Sequence, residues 1–295
     1  MIESVNHRKD DAMPYEQEIG EKRPTCYLFV IDQSGSMEET MDGGVTKAKF
    51  VADVTNKTIQ QFITACRVKE GETTRIKNRY EIGILGYGGD SIASGFGHGL
   101  ASQIIWSLSD IGNPENYHAE ERTVKESDGQ GGVIDVPKKF PVWYEPKSSG
   151  NTPMRAALTK AAELLVQWCD AHPENYPPTL IHVTDGESTD GDAEDVATAI
   201  KQLHTNDGEC LVFNLHVSKQ SGERLLFPVA EDALPDAYAK MLFRMSSAIP
   251  EKMVQYATAH GIANVNPSAR FFAYKADIET IVKFYDIGTR ANQNR

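Results

Sequence analysis

Two short apolar runs, each stopping abruptly at an aspartate, constrain this chain more than any other feature. Cys26-Tyr-Leu-Phe-Val-Ile31 has no polar residue and ends at Asp32, and Thr179-Leu-Ile-His-Val-Thr184 ends at Asp185-Gly186. A run this short, rich in β-branched and aromatic residues, fits a strand buried on both faces. Tyr80–Tyr87, Leu211–Val217 and Arg270–Lys275 read as further strands.

Between them lie stretches of helical period. From Lys47 to Cys66, Val51, Val54, Ile59, Phe62, Ile63 and Cys66 share one side of the wheel. From Met154 to His172, Ala157, Leu158, Ala161, Leu165 and Trp168 do the same. Asp192 is a candidate N-cap for a helix carrying Val196, Ile200 and Leu203. A long helical stretch runs from Pro235 to about His260 with an expected break near Pro250, and Asp277 is expected to cap a last helix. Strands alternating with helices of this length imply parallel pairing through right-handed crossovers. The expected fold is therefore α/β: a Rossmann-like, doubly wound, mostly parallel sheet flanked by helices.

The expected organisation is an N-terminal flexible arm over 1–23, one domain over 24–290 and a short tail over 291–295. Residues 88–150 interrupt the alternation. They are rich in Gly, Pro and Asn, and Asp128-Gly129 suits a hairpin turn between Arg122–Glu126 and Val133–Val136. This segment reads as a β-rich insertion. Within it, Trp143 and Tyr144 either anchor the insertion or present an exposed aromatic contact.

Composition narrows the partners. The formal charge of -12 repels phosphate backbones and anionic lipid, so neither nucleic acid nor membrane is expected as a partner. No window approaches the roughly 18 apolar residues of a membrane span, and the polar N-terminus lacks a signal-peptide core. Cys26, Cys66, Cys169 and Cys210 are widely spaced and read as buried free thiols. A cytoplasmic location is the expectation.

The chemistry collects where strands end. In an open parallel sheet, sites form where loops leave the carboxyl ends of strands, which brings Asp32 and Asp185 close. Asp32, Ser34 and Ser36 alternate along one loop, with Gly35 allowing a tight turn. Thr152 precedes a long helix, where it could equally serve as an N-cap with Pro153 at N1. Two carboxylates and three hydroxyls make an all-oxygen set of the kind hard divalent cations prefer. The acidic stretch Gly186–Asp192 reads as a solvated loop leading into a helix cap, and His182 as a core histidine.

In order and context, DxSxS at Asp32–Ser36, Thr152 and the aspartate of Thr184-Asp185-Gly186 resemble the metal-ion-dependent adhesion site of von Willebrand factor A domains. The resemblance spans roughly residues 24–290. It implies that Ser34, Ser36 and Thr152 coordinate the metal directly, that Asp32 and Asp185 act mostly through bound waters, and that an Asp or Glu carboxylate from a protein partner completes the shell. Magnesium is the expected ion; manganese and calcium suit the same oxygen set. The chain is also similar to bacterial cytoplasmic A-domain proteins of the tellurite-resistance and stress-associated type, including the segment Leu234–Ser247. That likeness implies a non-enzymatic interaction module in a signalling, stress or defence system, with a kinase, phosphatase or ATPase as partner. An adaptor for a ring-shaped ATPase is the alternative. A magnesium-dependent phosphohydrolase is disfavoured, because the position of its general acid, two residues after the first aspartate, holds Ser34.

Overall fold

A computed structural model describes residues 14–41, 44–127, 132–218, 224–262 and 265–275. Among the described residues the central sheet has eight strands: β1 (Thr25–Asp32), β2 (Tyr80–Gly88), β3 (Ser91–Ser94), β4 (Ile105–Ser107), β5 (Thr179–Thr184), β6 (Leu211–His216), β7 (Leu225–Leu226) and β8 (Phe272–Tyr274). The order across it is β7-β8-β6-β5-β1-β2-β3, with β4 also on β2. The pairs β8–β6, β6–β5, β5–β1 and β1–β2 are parallel. β3, β4 and β7 are antiparallel additions at the two edges. The molecule is thus a mixed α/β protein with a mostly parallel central sheet flanked by helices.

Alternation along β1 shows why its run is apolar throughout. Tyr27, Phe29 and Ile31 point into one core, shared with α1 (Lys47–Cys66) and a later helix, α5 (Glu251–Ala259). Cys26, Leu28 and Val30 point into the other, shared with α2 (Met154–Ala171), α3 (Glu194–Gln202) and α4 (Ala237–Met245). Both faces are covered, so an apolar residue is favoured at every position. All four cysteines are free and buried.

Several expectations need correction. Residues 14–23 are not a loose arm: Ile19 is buried, the Tyr15 hydroxyl donates to the Glu209 carbonyl at 3.1 Å, and the amides of Glu16 and Gln17 donate to Asp207 Oδ1 at 2.9 Å each. The expected break near Pro250 is present: the stretch after Pro235 is two helices, α4 and α5, with extended backbone at Ser246 and Pro250. Asp192 is not the N-cap of α3. That place falls to Ala193, although Asp192 Oδ1 accepts the Glu194 amide at 2.8 Å. The whole tail at 291–295, residues 1–13 of the arm, the helix after Asp277 and the Asp128-Gly129 turn lie outside the described residues.

The 88–150 segment is β-rich, but part of it joins the main sheet as β3 and β4. The rest includes a long hairpin, His118–Ser127 with Val133–Val142, whose strands outrun the expected pair. Trp143 and Tyr144 are buried anchors. Both their amides donate to Asn56 Oδ1 of α1, at 2.9 and 3.0 Å, and Asn56 Nδ2 returns a 2.8 Å bond to the Tyr144 carbonyl.

Candidate metal centre

β1 and β5 are parallel neighbours with Ile31 opposite Val183, so both reach the same rim of the sheet together. From β1 the chain next builds β2 on one side and later β5 on the other. Loops leaving these strands diverge, and a crevice opens between them. Asp32 lies at its floor, almost wholly buried. Its Oδ1 accepts the Ser34 amide at 2.8 Å and its Oδ2 the Thr184 hydroxyl at 2.8 Å. The Tyr238 hydroxyl lies 3.1 Å from Thr184 Oγ1. The Ser34 and Ser36 hydroxyls share a 3.0 Å hydrogen bond, and the Ser36 hydroxyl donates to Asp185 Oδ1 at 2.7 Å. Ser34 is buried and Ser36 exposed, so the cluster climbs from the core to solvent.

Thr152 stands apart from that hydrogen-bonded chain and is brought to the rim through its backbone. The Gly35 amide donates to the Gly150 carbonyl at 2.9 Å and the Ser149 amide to the Gln33 carbonyl at 2.7 Å. Thr152 and Thr189 are joined twice: the Thr189 amide to the Thr152 carbonyl at 2.9 Å, and the Thr152 amide to Thr189 Oγ1 at 3.0 Å. The N-cap reading of Thr152 is not realised. α2 begins at Met154 with Pro153 in the cap position and no side-chain capping bond. Asp190 serves instead, accepting the amides of Arg155 and Ala156 at 2.9 Å each. The acidic loop thus supplies a capping carboxylate to α2 rather than the N-cap expected for α3.

The loops meet backbone to backbone. A Cβ on Gly88 would sit 2.3 Å from the Gln33 carbonyl oxygen. Gly150 has φ +66°, and a Cβ there would lie 2.5 Å from Gly89 Cα. A side chain at Gly88 would press the DxSxS loop away from β2, and one at Gly150 would press the loop bearing Thr152 away from the turn at Gly89.

Sequence reasoning missed Lys47. Its side chain is almost buried and its ammonium contacts Asp185 Oδ2 at 2.6 Å and Glu39 Oε2 at 2.7 Å. Burial alone would push its pKa down; the hydrogen bonds and charges of Asp185 and Glu39 outweigh that and hold it above the ordinary value. A signal was present. Lys47 is the first residue of α1, and a cation at the positive end of a helix dipole is unfavourable unless anions receive it. Burial pushes the Asp32 carboxyl up to about 6, against the hydrogen bonds from Ser34 and Thr184 that favour its charged form.

The donor set fits a hard divalent cation. Two carboxylates and two hydroxyls converge on one rim, and Thr152 can add a third hydroxyl that the helix does not use. Among the described residues no group of three or more His, Cys, Asp or Glu could hold a metal ion. A site built mostly from hydroxyls lies outside that description.

The arrangement defines a class: a mixed α/β protein with an oxygen-lined crevice at the carboxyl ends of parallel strands. No protein-family model matches the chain. No curated protein matches it either. Proximal thread matrix protein 1 of the mussel byssus is similar to it in structure, with a TM-score of 0.43 and 13% identity over 79% of this chain and 43% of that one. The pilus adhesin RrgA of Streptococcus pneumoniae gives a TM-score of 0.32 and 14% identity over 89% of this chain and 35% of the adhesin. The chain therefore spans less than half of either neighbour, and likeness this slight carries no argument about function. Among the described residues no helix is long and apolar enough to cross a membrane.

Proposed function

We propose that the chain is a von Willebrand factor A-type module that holds one divalent metal ion, magnesium by preference, and uses it to bind an acidic segment of another protein. The observation that carries this reading is the continuous chain Asp32–Ser34–Ser36–Asp185, assembled from two distant loops at the end of a parallel sheet. Ser34, Ser36 and Thr152 would hold the ion directly, with Asp32 and Asp185 behind them.

When bound, the ion supplies a Lewis-acidic position for a carboxylate oxygen. The chain's own residues do the rest. Thr184 and the Ser34 amide fix the Asp32 carboxylate. Asp185 orients the Ser36 hydroxyl. Because the nearest ligands are neutral hydroxyls, little of the ion's charge is cancelled, which favours an anionic partner. A Rossmann-like, doubly wound description of the sheet belongs to the same reading, as does a cytoplasmic setting, which four buried unpaired thiols suit. No catalytic role is assigned: the place of a general acid is taken by Ser34, whose hydroxyl is bonded to Ser36.

The test is calorimetric titration of Mg2+ and Mn2+ into the wild type, Ser36→Ala and Asp32→Ala. Saturable one-site binding lost in both variants is expected. Equal binding in all three would overturn the reading. Capture of a kinase, a phosphatase or a ring ATPase in magnesium, abolished by EDTA, would then identify the partner.

A further inference from the structure

Lys47 is a buried ammonium in contact with a candidate metal-site carboxylate, and the proposed metal binding leaves it without a task. It occupies the first position of α1, against the helix dipole, so its seat is set by the two carboxylates it touches. Asp185 divides its oxygens: Oδ1 accepts from Ser36 and Oδ2 from Lys47. The Asp185 side chain is fully shielded from solvent, so this pairing is not diluted by water. Glu39, the other partner, is 41% exposed and faces solvent.

We propose that Lys47 is a resident counter-cation that cancels the charge of Asp185, so that the site binds a metal ion weakly by itself and leaves that ion unneutralised for an incoming carboxylate. The inference rests on the metal-site reading above and assigns its charge balance. Asp32 and Asp185 carry two negative charges and Lys47 returns one; Glu39, 41% exposed, offsets Lys47 only from the solvent side, so a divalent ion is less fully neutralised at Ser36 than it would be without Lys47. Glu39 moderates Lys47 from the outside. Lys47 is a positioning residue: it acts on the ion through Asp185.

Lys47 and its outer partner Glu39 give variants of opposite sign. Lys47→Met keeps the length of the stem and removes the charge; Glu39→Gln, near the surface, leaves Lys47 less compensated. Mn2+ binding is measured by the loss of the free-ion electron paramagnetic resonance signal, with circular dichroism as the check of fold. Lys47→Met should bind Mn2+ at least about tenfold more tightly than the wild type, and Glu39→Gln roughly two- to fivefold more weakly, since removing a charge contact in a shielded site changes binding by such factors. Sodium acetate, as carboxylate probe, should improve Mn2+ retention more in the wild type than in Lys47→Met.

Unchanged or weaker binding in Lys47→Met, or tighter binding in Glu39→Gln, would overturn the role of Lys47 while leaving the metal site standing. If Lys47→Met does not fold, the Glu39→Gln titration and the acetate response of the wild type decide: tighter binding or no acetate response would overturn the proposal. Failure of wild type and variants alike to bind Mn2+ would overturn the metal site, and this role with it.

Discussion

The Ser36 hydroxyl donates to Asp185 Oδ1 at 2.7 Å, joining the loop after β1 to the loop after β5. With the Ser34–Ser36 bond and the Ser34–Asp32 contact, it ties both strand ends into one polar cluster whose floor is buried and whose mouth is exposed. That gradient makes the cluster a candidate for binding as well as for packing.

If Asp32 serves a metal ion as proposed, it sets stability against binding. Its folded pKa is raised to about 6 by burial, against about 3.9 in an unfolded chain. An acid whose pKa rises on folding destabilises the fold above that value, here by roughly 2–3 kcal/mol. Asp32→Asn should therefore withstand urea better than the wild type at pH 7.5 in EDTA. In excess Mg2+ the order should reverse, because the variant gains nothing from the ion. Urea melts in both conditions check this; a variant less stable in EDTA would refute it.

Acid should unfold the protein through its histidines. His182 lies wholly buried, with Tyr87 Oη 2.7 Å from its Nε2 and Asn214 Oδ1 2.9 Å from its Nδ1. Burial pushes its pKa down to about 4, and that of His216 to about 4. Unfolded histidines take up protons near 6.5. Stability is then full above pH 6.5 and is lost as pH falls from 6.5 towards 4, by up to roughly 3 kcal/mol for His182. Asp32 works in the opposite direction between about 6 and 4, so it softens the loss. Urea midpoints at pH 7.5, 5.5 and 4.5 should fall less in His182→Gln than in the wild type.

Asn56 is the pin that holds the inserted segment to α1. Asn56→Ala removes three buried hydrogen bonds to Trp143 and Tyr144 and leaves their backbone groups unpaired. The expected cost is about 3 kcal/mol. Tryptophan fluorescence during denaturation should report an earlier change near Trp143; an unshifted transition would argue against this anchoring.

Gly150→Ala should damage the site while sparing the sheet. Its φ of +66° and the 2.5 Å approach to Gly89 Cα disfavour any side chain. A loss of roughly 2 kcal/mol is expected, with Mg2+ affinity falling further than stability because the Thr152 loop is displaced. Calorimetry beside a urea melt separates the two effects.

The sequence by itself determined the inner strands and the place of the carboxylates. An uninterrupted apolar run such as Cys26–Ile31 carries its own reason to be buried on both faces, and the first charged residue after it must lie where the sheet ends. Helix faces over Lys47–Cys66 and Met154–Ala171 were legible for the same reason, since period alone sorts buried from exposed positions. The tertiary structure decided what depends on a partner remote in the chain. β3 and β4 are three or four residues long and exist because β2 offers an open edge. Tyr15 and Gln17 are held by hydrogen bonds to Glu209 and Asp207. Thr184 and Lys47 enter the site only because β5 lies beside β1 and α1 begins over Asp185. Local pattern encodes which residues leave water; the pairing of polar groups across the rim is encoded only by the packing that brings them within reach.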